Sequence, residues 1–210
     1  MPHDTSTNYG VAEGGAKVVL DGTKTILLVG VGGQGTILAG QLLAMVAADA
    51  GLDVKVSEIH GMSQRGGSVS TVVRVGEKVD SMVCDPGCAD IVVAFEAVEA
   101  LRAQQFLREG GTLFVNDEQI VPVSVNVGNF TMPADTEERL AAIGAVRIDA
   151  GEIARAAGSP KSTNVVLVGA LSTALPFSVE EWQDAIRRRV PPKTIDANLE
   201  AFAKGRAAVA

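Results

Sequence analysis

The sequence predicts an α/β fold: a single Rossmann-like domain with a mostly parallel sheet flanked by helices. Three observations predict it. Apolar and β-branched runs alternate with segments of helical apolar spacing along most of the chain. Residues 91–95 form a continuous apolar run, as expected of a central parallel strand covered on both faces. A glycine-rich turn joins the first predicted strand to the first predicted helix.

The elements of the first half follow from local patterns. Residues 1–22 are small and polar, which predicts a flexible N-terminal tail that can add a short edge strand at 18–20, so the domain should cover 23–210. Gly51 is placed to end the first helix, and Gly110-Gly111 to turn the chain before a strand. Strands are predicted at 25–29, 53–57, 68–75, 78–83, 91–95 and 112–115, and helices at 36–50 and 98–107.

The second half continues the alternation. Asn164 is a natural N-cap for an apolar helix over 165–174, and Ser178 with Glu181 predicts a capping box for the helix that follows. Further strands are expected at 121–127 and 146–148, and further helices at 136–143, 153–157, 178–189 and 193–207.

Composition excludes several classes of protein. The net charge of −7 disfavours a nucleic-acid module, because such binding depends on Lys and Arg. Two cysteines, Cys84 and Cys88, cannot build a disulfide framework or supply a cluster alone, and we expect free thiols with no essential role and no metal site. The uncharged stretch 25–48 is long enough for a membrane span, but its glycines favour a buried strand, turn and helix. No signal peptide is visible, so we expect a cytoplasmic protein.

The glycine-rich turn is the first motif that indicates chemistry. Its sequence, GVGGQG over 30–35, fits the pattern GxGxxG between a strand and a helix, where backbone amides can receive a phosphate. Glu58 follows at the distance where dinucleotide-binding folds place an acidic residue for a ribose. The alternative is a tight turn that serves packing alone. The candidate ligand-binding residues of the motif are Gly30, Gly32, Gly33, Gln34 and Gly35.

A second candidate segment, 58–67, follows the strand predicted at 53–57 and is dense in polar groups. Arg65 can offer a fork of donors to a carboxylate or phosphate, or pair internally with Glu58. His60 can titrate near neutral pH, or serve as a structural histidine. The candidate residues of this segment are Glu58, His60, Ser63, Gln64, Arg65 and Gly66.

These motifs together resemble a known family. The segments GVGGQGTILAGQLLA, SEIHGMSQRGGSV, AFEAVEALR, FLREGGTLFVND and NVVLVGALS are similar to the gamma-type domain of the 2-oxoacid:ferredoxin oxidoreductases, over about residues 25–207. Ser81-Met82-Val83 departs from the Ser-Pro-apolar sequence expected there. The resemblance implies no catalytic residue that can be assigned to this chain.

The resemblance also implies partners. Members of the family decarboxylate a 2-oxoacid on thiamine diphosphate, pass electrons through iron–sulfur clusters to ferredoxin, and transfer the acyl group to coenzyme A. The sequence lacks a thiamine signature, so a larger catalytic subunit would carry thiamine diphosphate and the [4Fe-4S] clusters. This chain would supply a nucleotide-type pocket that helps to receive coenzyme A. The alternatives are a scaffolding subunit with a vestigial pocket and a stand-alone dinucleotide-binding module.

Overall fold

The computed structural model describes residues 18–60, 67–121, 125, 127–129 and 131–210. The strands are β1 Lys24–Val31, β2 Asp53–His60, β3 Ser68–Gly76, β4 Ala89–Ala94, β5 Leu107–Asn116 and β6 Val146–Ile148. The helices are α1 Thr36–Asp49, α2 Ala97–Ala103, α3 Thr136–Ala142, α4 Ala150–Ala156, α5 Thr163–Ser172, α6 Val179–Arg189 and α7 Ile195–Ala207. None of the helices in the described part of the chain is long and apolar enough to cross a membrane.

The described strands form one sheet with the order β2-β3-β1-β4-β5-β6. β1, β4, β5 and β6 pair in parallel along this order. β3 runs antiparallel to both of its neighbours, β1 and β2. Five of the six strands therefore share one direction, which confirms the predicted α/β fold with a mostly parallel sheet.

Helices cover the sheet on both faces. One face of β1, with Ile26 and Leu28, packs on the larger core, to which α1, α4, α5, α6 and α7 contribute. The other face, with Leu27 and Val29, packs with α2 and α3. Because successive side chains of a strand point to opposite faces, a continuous apolar run such as β1 fills both cores.

Two glycines let α5 and α7 approach until their backbones touch. A Cβ atom at Gly169 would lie 2.3 Å from the carbonyl oxygen of Phe202, and one at Gly205 would lie 2.0 Å from the carbonyl oxygen of Val166. No side chain larger than hydrogen fits at either position, and the helix pair forms the centre of the larger core.

The helix boundaries predicted from capping signals are partly confirmed. Ser178 and Glu181 form the capping box of α6. Gly51, with φ +78°, follows the end of α1, and its amide donates to the carbonyl of Ala48. The N-cap predicted at Asn164 is wrong: Ser162 holds that position, and Asn164 lies buried inside the first turn of α5.

Two strand predictions and one turn prediction in the described residues need correction. Residues 78–83 form no strand, because side chains satisfy their backbone: Asp53 accepts from the Val79 amide, and the Arg74 guanidinium donates to the Ser81 carbonyl. Residues 18–20 also form no strand, although Leu20 is buried.

The third correction concerns Gly110-Gly111, which lie inside β5 rather than at a turn. The pairing of β4 with β5 shifts register between Ala89 and Ile91, and Gly110 has φ +71°. The glycines therefore accommodate a bulge. Of the strand predicted at 121–127, residues 121, 125 and 127 are described, and none of them lies in a strand. The other residues of that segment and most of the predicted N-terminal tail, residues 1–17, lie outside the described residues.

Candidate functional site

The glycine turn, residues 30–35, connects the end of β1 to the start of α1. Gly33 and Gly35 have φ values of +105° and +88°, a region that side-chain-bearing residues rarely adopt. Gly35 is the N-cap of α1, and among the described residues no side chain caps the helix and no acidic group lies in its first turn. The first-turn amides therefore have no acceptor within the helix, and they present partial positive charge.

The protein itself fills the space beside two of these glycines. A Cβ atom at Gly30 would lie 2.8 Å from Oε1 of Gln34, and one at Gly35 would lie 2.4 Å from Nδ2 of Asn164. A Cβ atom at Gly33, by contrast, would meet no atom of the described residues within 4 Å. Gly30 and Gly35 thus serve close packing, whereas the space at Gly33 is open to a ligand.

Gln34 turns away from this open space. Its Oε1 accepts from the amide of Val31 at 2.7 Å, and its Nε2 donates to the carbonyl of Phe95 at 3.0 Å and to Glu118 at 3.2 Å. Asn116 also donates to the Phe95 carbonyl and to Glu118. These side chains occupy the crevice between the ends of β1 and β4, where α1 and α2 leave toward opposite faces. Doubly wound folds bind their ligands in such a crevice.

Open volume lies instead on the β3 side of the glycine turn. A cavity of about 380 Å³, here called the glycine-turn cavity, adjoins the uncapped start of α1. Its walls combine glycine backbone, three hydroxyl side chains, one carboxylate and apolar side chains. The lining residues are Gly32, Gly33, Gly35, Thr36, Ile37, Glu58, Ile59, Val69, Ser70 and Thr71.

Glu58 lines the same cavity, but from a strand that does not adjoin β1. It lies within β2, paired with Thr71 of β3, and β3 separates it from the glycine turn. Two strand spacings place β2 about 10 Å from β1. This arrangement differs from a dinucleotide-binding fold, in which the acidic residue ends the strand beside β1. Glu58 can accept a hydrogen bond from a ligand hydroxyl that reaches across the cavity.

The rest of the polar segment at 58–67 is described only at its ends. His60 ends β2, where its backbone pairs with Val69. The carbonyl of Gly67 accepts from the amide of Gly32 at 2.8 Å, which fastens the start of β3 to the glycine turn. The candidate residues Ser63, Gln64, Arg65 and Gly66 lie outside the described residues.

Sequence patterns did not point to Glu96, a carboxylate buried directly after β4. Its side chain is 1% exposed and accepts hydrogen bonds from the amides of Glu99 and Ile120. Burial raises the pKa of Glu96, and the nearby carboxylate of Glu99 raises it further, while the accepted hydrogen bonds oppose both effects. The sequence signal that could have identified Glu96 is a charged residue at the carboxyl end of a continuous apolar strand.

The sequence of this chain is similar to members of one known family. A sequence model of the family "Pyruvate ferredoxin/flavodoxin oxidoreductase" matches residues 25–208. The indolepyruvate oxidoreductase subunit IorB of Thermococcus kodakarensis is 45% identical over 187 residues, which cover 86% of this chain and 93% of that protein. The region that matches the family, 25–208, includes the glycine turn and the described lining of the glycine-turn cavity.

Solved structures show the same fold. The gamma subunit of a keto/oxoacid ferredoxin oxidoreductase from Geobacter sulfurreducens has a TM-score of 0.65 and 25% identity, covering 89% of this chain and 98% of that one. A 2-oxoglutarate:ferredoxin oxidoreductase from Magnetococcus marinus, with 2-oxoglutarate, coenzyme A and succinyl-CoA bound, has a TM-score of 0.69 and 24% identity; the match covers 90% of this chain and 31% of that longer chain. The motifs, the fold and the family match agree: the chain belongs to the pyruvate ferredoxin/flavodoxin oxidoreductase family.

Proposed function

We propose that this chain is the non-thiamine subunit of an indolepyruvate:ferredoxin oxidoreductase. The complex would convert an aryl 2-oxoacid to its acyl-CoA and pass the electrons to ferredoxin. The identity of 45% to a subunit named for indolepyruvate supports this substrate class. A larger partner subunit would bind thiamine diphosphate and [4Fe-4S] clusters, since the two cysteines of this chain are fewer than the four thiolates such a cluster uses.

Within that complex, we propose that the glycine-turn cavity receives a phosphate-bearing part of coenzyme A. The observation that carries this proposal is the open space at Gly33 beside the uncapped start of α1. Backbone amides at a helix N-terminus are suited to a phosphate, and glycine allows close approach. Glu58 and Thr71, which are paired across β2 and β3, would face hydroxyl or amide groups of the same ligand, and Arg65 would add a charged donor.

A scaffolding subunit with a vestigial pocket is the second candidate. One observation favours it: Gln34, Asn116 and Glu118 already fill the crevice in which doubly wound folds bind nucleotides. In that case, the chain would stabilise the larger subunit, and changes at the glycine turn would alter stability without altering the affinity for coenzyme A. A stand-alone dinucleotide-binding module is a third candidate, which the separation of Glu58 from β1 disfavours.

Assembly provides the first test. Tagged chain expressed with its neighbouring genes should co-purify with a larger subunit that shows cluster absorbance and oxidises indolepyruvate in the presence of coenzyme A. The chain expressed alone should be colourless and inactive. Dye reduction by the isolated, metal-free chain would contradict the proposed division of labour.

The second test compares Gly33→Ala with Gly158→Ala in the reconstituted complex. Both glycines have left-handed φ values, +105° and +79°, and open space at the Cβ position, but only Gly33 lines the cavity. Each substitution should lower the free energy of unfolding by about 1 kcal/mol through backbone strain. Only Gly33→Ala should also weaken coenzyme A binding, by about tenfold to hundredfold if one charged hydrogen bond is lost.

The outcome separates the candidates. If Gly33→Ala and Gly158→Ala lower the unfolding free energy equally and leave the KM for coenzyme A unchanged, the scaffolding function is correct. The proposed ligand site is then wrong. Arg65→Ala provides an independent variant, because it removes a donor without straining a glycine: it should raise the KM for coenzyme A and leave the melting temperature close to the wild type.

A further inference from the structure

The two cysteines lie side by side on a turn. Cys84 and Cys88 flank Asp85-Pro86-Gly87, and their sulfur atoms are 2.7 Å apart. The amide of Cys88 donates to the carbonyl of Asp85, and Gly87 has φ +74°, which together with the proline are the features of a type II turn. Pro86 and Gly87 therefore fix the backbone so that the side chains on either side of them meet.

The turn is anchored to the rest of the domain. The amide of Gly87 donates to the carbonyl of Gln105 at 2.9 Å, in the 3-10 turn after α2. On the other side, the Arg74 guanidinium donates to the carbonyls of Ser81 and Val83, which lie just before Cys84 in the chain. The sulfur–sulfur contact is thus held by hydrogen bonds from two parts of the fold.

Small reagents can reach the pair. Both cysteines are partly exposed, and both are free thiols. Cys84 also lines a second cavity of about 440 Å³, here called the sheet-face cavity, which shares Ile59 and Ser70 with the glycine-turn cavity. Its other lining residues include Leu27, Val72, Met82, Glu99 and Phe106.

We propose that Cys84 and Cys88 form a dithiol site that hydroperoxides oxidise to an intramolecular disulfide. One thiolate attacks the peroxide oxygen, which forms a sulfenic acid and releases hydroxide. The second sulfur then attacks the first, the S–O bond breaks, and the departing hydroxyl leaves as water with the proton of the second thiol. Two thiols and one hydrogen peroxide thus give one disulfide and two waters. The proposal is independent of the ligand and partners proposed above.

The order of attack follows from the surroundings of Cys84. Burial, and then the hydrogen bond with Cys88, raise the pKa of the Cys84 thiol to about 12. Cys84 therefore keeps its proton at neutral pH, and the attack on peroxide falls to Cys88. Cys84, already in contact, then resolves the sulfenic acid faster than a second peroxide molecule can reach it.

The full-length chain can be tested by intact-mass spectrometry. After brief treatment with hydrogen peroxide, the wild type should lose the mass of two hydrogen atoms, lose all labelling by N-ethylmaleimide, and remain a monomer on a non-reducing gel. Dithiothreitol should restore both labels. A gain of oxygen on either cysteine, a disulfide between two chains, or no reaction would overturn the proposal.

Two single variants check the assignment of each thiol. Cys84→Ser should leave a sulfenic acid on Cys88 that dimedone traps, because no second thiol can resolve it. In Cys88→Ser, Cys84 should react with peroxide more slowly than Cys88 does in Cys84→Ser, because burial still disfavours its thiolate. Equal reactivity of the two variants, or trapping on Cys84 instead of Cys88, would show that the proposed order of attack is wrong.

Discussion

At the scale of single residues, burial decides the properties of Glu96. The pKa of its carboxyl is raised above the ordinary value of 4.5, because loss of water outweighs the amides that donate to it. A carboxyl with a raised pKa binds its proton more tightly in the folded state than in the unfolded state. Its contribution to stability is therefore full below pH 4.5 and is lost as the pH rises through its folded-state pKa.

Glu96→Gln should expose this dependence. Glutamine resembles the protonated carboxyl and does not titrate, so the unfolding free energy of the variant relative to that of the wild type should rise as the pH increases from 4.5 to neutral. Urea unfolding across this range measures it. Glu138→Gln, on the exposed side of α3, controls for the loss of one negative charge. If the difference in unfolding free energy between Glu96→Gln and the wild type stays constant with pH, the raised pKa of Glu96 is contradicted.

At the scale of elements, the contact of α5 with α7 depends on glycine. Gly205→Ala would place its methyl group 2.0 Å from a carbonyl oxygen of α5, and backbone cannot move aside as a side chain can. The helices must separate, so we expect a loss of about 1–3 kcal/mol or more in unfolding free energy. Chemical denaturation of the full-length chain measures this loss.

Gly151→Ala is the matched control, since it makes the same change inside α4. Its new methyl group would find its nearest atoms at 3.6 Å and 3.7 Å, which is ordinary contact. Alanine favours a helix more than glycine does, so this variant should be more stable by about 0.5–1 kcal/mol. Opposite signs for the two substitutions would establish close packing as the reason for Gly205, whereas equal signs would refute it.

Element prediction from sequence worked where one local signal dominated. The Ser178–Glu181 capping box and the continuous apolar strand β4 needed no information from elsewhere in the chain. Prediction failed where distant groups intervened. Residues 78–83 have a strand-like pattern, but Arg74 and Asp53 bind their backbone. Asn164 has the chemistry of a cap, but the glycine turn packs against it.

At the scale of the whole molecule, the sequence indicated the fold class and the glycine turn but could not show where the open volume lies. A β-branched run such as 68–76 predicts a strand without its direction or its neighbours. The insertion of β3 between β1 and β2 therefore came from the structure alone. It moves Glu58 away from the turn and places the cavity beside β3, while Gln34 closes the crevice on the other side.

The position of β3 between β1 and β2 also determines how this edge of the sheet should unfold locally. In the described sheet, β2 is hydrogen-bonded to β3 alone, so its amides cannot stay protected once β3 unfolds. In amide hydrogen exchange, we expect β2 and β3 to exchange together as one cooperative unit, while β1, β4 and β5 remain slow. Peptides of β2 that exchange long before those of β3 would refute this coupling. If β2 and β3 do open together, the wall of the glycine-turn cavity on the β3 side would be lost and restored while the central strands stay folded.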